Sequence, residues 1–230
     1  MVVTTSTKAT SRRPEQTPEQ TPDHPSRSSV IHDSDDPIAV AVLDAALATM
    51  AAKGYHGTSV RDIATAAGVA SGSIYTHFGS KHDLLALIMN RGMDGLIAHT
   101  EDALFHAGTD PADRLRAIVG AHVRVHVSGL RESLLGNSEL RSLEPAAREL
   151  IVSKRDTQRR MFDRVIVDGA ERGVFRAADP IAASRFIVTA CTAVATWYHP
   201  DGAMSPDEIV ESHQRIALDT VGHHDPSATP

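Results

Sequence analysis

At 230 residues and 41% apolar content the chain can bury one larger or two modest domains, and its 29 acidic against 23 basic residues give a net charge of −6 that does not draw it as a whole to nucleic acid. A single cysteine excludes an internal disulfide, and no basic segment followed by an apolar run opens the chain. No uninterrupted apolar span approaches twenty residues, so a cytoplasmic protein with no membrane partner is expected.

Residues 1–35 are rich in Thr, Ser, Pro and charge, contain the repeat PEQTPEQTP and lack periodic apolar positions, so they cannot repay their ordering entropy and read as a disordered tail. Arg12, Arg13 and Arg27 within it are placed to brush a minor groove, but a solvated tail is the expectation, and its removal should leave DNA affinity nearly unchanged. Asp36-Pro37 then puts a capping side chain before a proline at the first helical position. The helix so opened, 37–53, carries an apolar stripe of Val42, Leu43, Ala46, Leu47 and Met50.

The segment YHGTSVRDIATAAGVASGSIYTHFGSKHDLL, Tyr55 to Leu85, reads as helices separated by two tight turns. Ser59 and Asp62 form a capping box, behind which Val60, Ile63, Ala64 and Ala67 keep helical spacing over 59–67. Gly68 ends that helix in the left-handed conformation that costs glycine little. Ser71 is placed to cap a second short helix, 71–78, in which Ile74, Tyr75 and Phe78 grip the domain while Ser73, Thr76 and His77 face outward. Gly79 stops it, and Ser80 with Asp83 opens a long helix over 80–106. The pattern is a helix-turn-helix, whose second helix lies in a major groove.

Asp110-Pro111, Asp179-Pro180 and Ser205-Pro206, the last with Glu208 as a capping box, mark further starts. Helices are expected at 110–129, 131–141, 144–173, 179–198 and 205–221, and no strand pattern competes, so the fold class is all-α. The organisation expected is a tail over 1–35, a DNA-binding domain over 36–84, a larger helical domain over 85–222 and a disordered end at 223–230. Residues 37–91 hold four basic and three acidic side chains, and every other part of the chain is net negative. So small a charge makes one copy a poor DNA binder, and two copies on one duplex double the phosphate contacts, which argues for a homodimer on a two-fold site. Cys191 lies in an apolar helical pattern as a packing thiol. His122 and His126 share a helical face at a spacing that can hold a metal, but no third ligand accompanies them and no metal site is expected. No G-x-S-x-G, P-loop, G-x-G-x-x-G or cysteine-nucleophile motif is present, so no enzyme activity and no cofactor are expected.

The segment resembles the DNA-binding domain of the tetracycline-repressor (TetR) family of bacterial transcription regulators. The resemblance begins at VLDAALATMAAKGYHGTSV and runs through Ile63, Ala64, Gly68, Val69, Gly72, Ile74, Tyr75, Phe78, Lys81 and Leu84. It implies a three-helix DNA-binding head, phosphate contacts from Thr58, Tyr75, His77 and Lys81 and from the helix N-terminus at Ser59, and base reading by Ser71, Gly72, Ser73 and Thr76. Residues 71–78 carry no Arg, Lys, Asn or Gln for bidentate base contacts, which leaves Arg61 as the long side chain able to reach a base edge. His77 and His82 should tighten binding below neutral pH as they gain charge. The resemblance also implies that the two C-terminal helices pair with their copies through Phe186, Ala190, Val194, Trp197, Ile209 and Ile216. A small effector would occupy a cavity among the middle helices, lined by Met93, Ile97, Phe105, Val119, His122, Val123, His126, Leu135, Met161 and Val165. The C-terminal half, from NSELRSLEPAARELIVSKRDTQRRMFDRVI to VATWYHPDGAMSPDEI, is similar to regulators of fatty-acid and sterol breakdown that sense acyl-CoA thioesters. An acidic effector of that kind could pair with Arg131, Arg141, Arg159, Arg160 or Arg164. The expected function is a repressor released by its effector; a regulator without effector, an activator, or a helical enzyme are the other readings open at this point.

Overall fold

The computed structural model describes residues 29–32 and 34–223, so residues 1–28 of the tail expected over 1–35, with Arg12, Arg13 and Arg27, and residues 224–230 of the end expected at 223–230 lie outside the described residues. The described residues form nine α-helices and no strand: α1 (Pro37–Lys53), α2 (Val60–Ala67), α3 (Ser71–Phe78), α4 (Lys81–His106), α5 (Pro111–Ser128), α6 (Leu130–Ser138), α7 (Pro145–Glu171), α8 (Pro180–Trp197) and α9 (Pro206–Thr220). Each Asp-Pro start works as the sequence indicates, with Asp36, Asp110 and Asp179 accepting from two backbone N–H groups of the first turn. Ser59–Asp62 and Ser205–Glu208 are full capping boxes, and Gly68 takes φ 68°, ψ 29°.

Three local expectations are corrected. Ala70, not Ser71, holds the N-cap position of α3 and offers no side-chain cap, because the chain leaving Gly68 is still extended at Ala70. Ser71 is therefore the first helical residue, with its hydroxyl on the exposed side. The helix expected over 131–141 ends at Ser138 and tightens into a 3-10 turn, Glu139–Ser142. There the Glu139 carboxylate accepts from Tyr55 N–H at 3.2 Å and from the Ser142 hydroxyl at 2.6 Å, tying the turn to the loop before α2.

The third correction concerns the tail, whose ordered part begins before residue 35. Val30 is fully buried in the core of the first four helices. Arg91 of α4 grips the segment, donating to Val30 O at 2.9 Å and, fork-wise, to both Asp35 carboxylate oxygens at 2.6 and 2.9 Å. Gly95 makes room for it, since a Cβ there would meet the Ser29 Cβ at 2.7 Å. Two adjacent apolar residues, Val30 and Ile31, amid polar ones are too weak a pattern to announce this strap from sequence.

Two cores follow. The head core joins α1–α4 around Leu43, Met50, Ile63, Ile74 and Leu84, but it also takes in Leu135, Leu143 and Ile151 from the α6–α7 region. α4 runs unbroken across the boundary expected at 84, so the head core packs directly onto residues of the larger domain. The second core surrounds α5, which packs against α4, α7, α8 and α9 and buries Leu115, Ile118, Val119 and Val123 against Phe162 and Val194. Burying each such side chain is worth about 1.5–3 kcal/mol. Cys191 sits in this core, where burial pushes its thiol up to about 12, as a packing residue requires.

Candidate DNA-reading surface and effector cavity

α2 and α3 meet across the Gly68 turn and leave one face of α3 open. Ile74 is fully buried and Phe78 half-buried beneath it, while Tyr75, expected to grip the domain, is 54% exposed and stands on the outer face with Ser71, Gly72, Thr76 and His77. Arg61 is exposed at the start of α2, and Ser73 is half-buried. This face is the surface that α3 can offer a groove.

Several hydroxyls and charges expected at phosphates are spent within the head. Thr58 is buried, and its hydroxyl donates to Gly54 O at 2.8 Å and Thr49 O at 3.2 Å, so it has no surface for a phosphate and instead seals the end of α1. The Ser59 hydroxyl is engaged by Asp62, donating to its carboxylate at 2.6 Å and accepting its N–H at 3.1 Å. Ser59 holds that carboxyl below its ordinary range. The Lys81 ammonium lies 4.0 Å over the Tyr55 ring and donates to Tyr55 O at 2.9 Å and Thr58 O at 2.7 Å, a clamp across the α1–α2 loop. His77 Nδ1 lies 3.2 Å from the carboxylate of Asp36, the residue that caps α1. His82 Nε2 accepts the Glu144 N–H at 2.9 Å.

Behind the head a cavity of about 570 Å³ opens between α4, α5, α6, α7 and α8. Its apolar walls are Ile88, Met89, Met93 and Leu96 of α4 with Ile151 of α7 and Val188 of α8, and its polar wall holds His122, His126, Arg155, Gln158 and Thr192. Of the lining residues expected, Met93, His122 and His126 face this space. Val119 and Val123 pack in the second core, Leu135 packs in the head core, and Ile97 rests against the second core, all turned from the cavity by the phase of their helices. Met161 and Val165 border a separate, more open hollow of about 620 Å³ with Arg114, Arg164 and Arg172. Phe105 is 84% exposed near the C-terminal end of α4 and lines neither space.

The polar wall was missed where it lies on α7. Gln158 stands on the stripe Ile151, Gln158, Phe162, Val165, and a polar residue at an apolar phase was the available signal. Gln158 Nε2 donates to Thr100 Oγ1 at 2.8 Å and to His122 Nδ1 at 3.2 Å. His122 and His126 stack with ring centroids 4.4 Å apart. Burial, with His126 alongside, pulls the His122 imidazole well below its ordinary value, and burial lowers His126 too, aided by the nearby Arg155 charge, so both rings are neutral. Arg155 donates to Gly136 O at 2.6 Å, and burial lowers it as well. Of the arginines expected to meet an acidic effector, Arg159 lines the cavity but pairs with Asp163 at 2.6 Å and Asp156 at 3.4 Å, while Arg131, Arg141, Arg160 and Arg164 are exposed and outside it.

α8 is long and apolar enough, by length and composition, to cross a bilayer, but one side of it, Ile187, Cys191 and Val194, is core. Its other side leaves Phe186 61% and Trp197 46% exposed, with Ile216 of α9 49% exposed. Val194 and Ile209, expected at a dimer contact, are buried within the chain and Ala190 is half-buried, so the open apolar ridge is narrower than the sequence stripe.

Residues 42–88 match the family model described as bacterial regulatory proteins, tetR family, and residues 108–221 match the tetracyclin repressor-like C-terminal domain. The chain belongs to the TetR family. A tetR-family regulatory protein from Rhodococcus RHA1, known as a crystal structure, is 31% identical, with a TM-score of 0.78 over 83% of this chain and 100% of that one. The transcriptional repressor KstR2 of Mycobacterium tuberculosis is 29% identical over 179 residues, 77% of this chain and 89% of that protein. Its structure, described as that of a ketosteroid transcriptional regulator, superposes with a TM-score of 0.77 over 85% of this chain and 100% of that one. AibR, solved with isovaleryl coenzyme A and operator DNA, shares the fold at 22% identity and a TM-score of 0.73 over 82% of this chain and 100% of that one. This TetR-family chain is thus a DNA-binding transcription regulator and not an enzyme, with a helix-turn-helix head and a helical C-terminal domain.

Proposed function

We propose that the chain is a repressor that binds a two-fold operator as a homodimer and lets go when the apolar part of a small-molecule effector, an acyl-CoA thioester or other lipid-like compound, enters the cavity between α4 and α8. One observation carries the reading. Ile88, Met89 and Ile151 belong at once to the head core and to the cavity wall, so a ligand that presses on them presses on the packing that seats α3. Packed cores respond to such pressure by shifting between discrete arrangements rather than by yielding continuously. The ligand would favour a form in which α4 carries the paired reading helices out of register with major grooves about 34–36 Å apart. A typical coupling of 1–3 kcal/mol lowers operator affinity up to about 150-fold, enough for control when repressor is not in large excess.

The exposed ridge of Phe186, Trp197 and Ile216 supports pairing of α8 and α9 with their copies, a contact expected to bury on the order of 1,600 Å² or more. For the DNA itself, Arg61, Ser71, Gly72, Ser73, Tyr75, Thr76 and His77 are the contacts proposed, with Lys81 and Thr58 acting through the loop they hold. The effector chemistry draws on the similarity to KstR2, described as a ketosteroid regulator, and on AibR, whose fold accommodates isovaleryl coenzyme A and operator DNA in one complex. The test joins two readouts on the purified protein: selection of bound fragments from genomic DNA, then release and thermal shift with a panel of acyl-CoA thioesters and sterols. A compound that raises the melting temperature and frees the duplex supports the reading. DNA binding with no response to any compound would leave a regulator without effector.

A further inference from the structure

The polar wall of the cavity is a chain of hydrogen bonds whose directions are all fixed. Thr100 and Thr192 each donate their hydroxyl to the carbonyl four residues back, Leu96 O and Val188 O, both at 2.8 Å, so both hydroxyl oxygens are left as acceptors. His122 Nε2 lies 3.0 Å from Thr192 Oγ1 and must therefore carry the proton, which makes His122 Nδ1 an acceptor. That acceptor and Thr100 Oγ1 are the two groups that the Gln158 amide nitrogen serves, which sets the amide the one way round. Gln158 Oε1 is left as a buried side-chain oxygen with no partner among the described residues. His126 repeats the outcome. Its Nδ1 lies 2.8 Å from His122 O and must donate to it, so its Nε2 keeps a lone pair for which no partner is found among the described residues.

Gln158 Oε1 is thus a buried acceptor that asks for a hydrogen, and Thr100, His122 and Thr192 have no proton left to give. A buried acceptor without a donor costs about as much as a lost hydrogen bond, so the wall is complete only when something brings the donor. Building on the proposed effector role of the cavity, we infer that the effector carries a hydroxyl group that donates its hydrogen to Gln158 Oε1, its apolar body lying against Met89, Met93 and Leu96. A ketone or bare alkyl chain at that point would leave that acceptor unmet. Arg155, one turn from Gln158 on the same wall, adds N–H donors suited to a carbonyl or carboxylate oxygen beside the hydroxyl.

The experiment uses the full chain and matched pairs: fatty acids and their CoA thioesters with a hydroxyl moved along the chain, each beside its deoxy and keto partners, and a sterol beside its deoxy form. Dissociation constants come from calorimetry, with thermal shift as a second readout. At least one hydroxylated compound should bind about tenfold or more tightly than both of its partners. Gln158→Met should bring that ratio close to one while the deoxy compound still binds. Equal binding of hydroxylated and deoxy forms overturns the inference but leaves the cavity as an effector site. A preference that survives in Gln158→Met overturns the assignment to Gln158. A panel in which nothing binds contradicts the effector reading beneath it as well.

Discussion

Gly72 stands on the open face of α3, where a Cβ would meet nothing within 4 Å. Alanine would therefore fit the free protein and favour the helix by up to about 1 kcal/mol, so no requirement of the fold accounts for the missing side chain. On the proposed reading, close approach of a duplex backbone would account for it. Gly72→Ala should raise the melting temperature slightly, read by calorimetry, while weakening operator binding at least tenfold in anisotropy titrations; unchanged DNA affinity would remove Gly72 from the reading surface. Arg61 and Lys81 divide in the opposite way. Arg61→Ala should leave stability intact and relax discrimination at one base pair by about 1–3 kcal/mol. Lys81→Ala, which opens the clamp on Tyr55 O and Thr58 O, should lower the melting temperature and weaken every duplex alike. Uniform losses from both substitutions in a competition against single-base variants would overturn that division. Much of this surface was legible because side-chain phase on an eight-residue helix is a local property. The Ser59–Asp62 capping box was legible too, but what Thr58 and Lys81 do was not, since their partners, the Thr49 and Gly54 carbonyls and the Tyr55 and Thr58 carbonyls, are set by how the loop folds back on α1 and α4.

Among the elements, the helices were readable to within a residue or two because their starts are written locally, as Asp-Pro and Ser-x-x-Asp or Ser-x-x-Glu. The exceptions share a cause. The 3-10 turn after α6 exists because Glu139 bonds to Tyr55 far earlier in the chain, and the strap at 29–35 exists because Arg91 of α4 reaches back for it. Neither partner can be found by a pattern within one segment. The strap also makes a pH prediction. The Arg91 fork holds the Asp35 carboxyl down at about 2, below the ordinary carboxylate value near 3.8. A carboxyl depressed on folding stabilises fully above its unfolded value, and the contribution is lost as the pH falls from there through about 2. Arg91→Ala should cost about 1–3 kcal/mol at neutral pH, measured by denaturant titration, and the difference from wild type should shrink between about pH 4 and pH 2. A constant difference across that range would show that the fork contributes through packing alone.

At the scale of the whole molecule, the two cores are joined through α4 and through the α6–α7 turn, where Tyr55, His56 and His82 of the head meet Glu139, Ser142 and Glu144. On the proposed reading, a head built onto the larger domain in this way responds to what fills the cavity. The head's charge is close to neutral, so the proposed dimer would draw its affinity from two heads acting together, and binding should fall steeply with salt. The most direct measurement is the stoichiometry and footprint of the protein on a duplex selected from genomic DNA, by analytical ultracentrifugation and hydroxyl-radical footprinting in dilute salt. The account predicts two chains per duplex, protecting two half-sites about one helical turn or a small multiple of it apart, and loss of both protections together when Tyr75 and Gly72 are altered. A folded, paired protein that protects no genomic duplex under those conditions, or whose protection is indifferent to changes on α3, would contradict it.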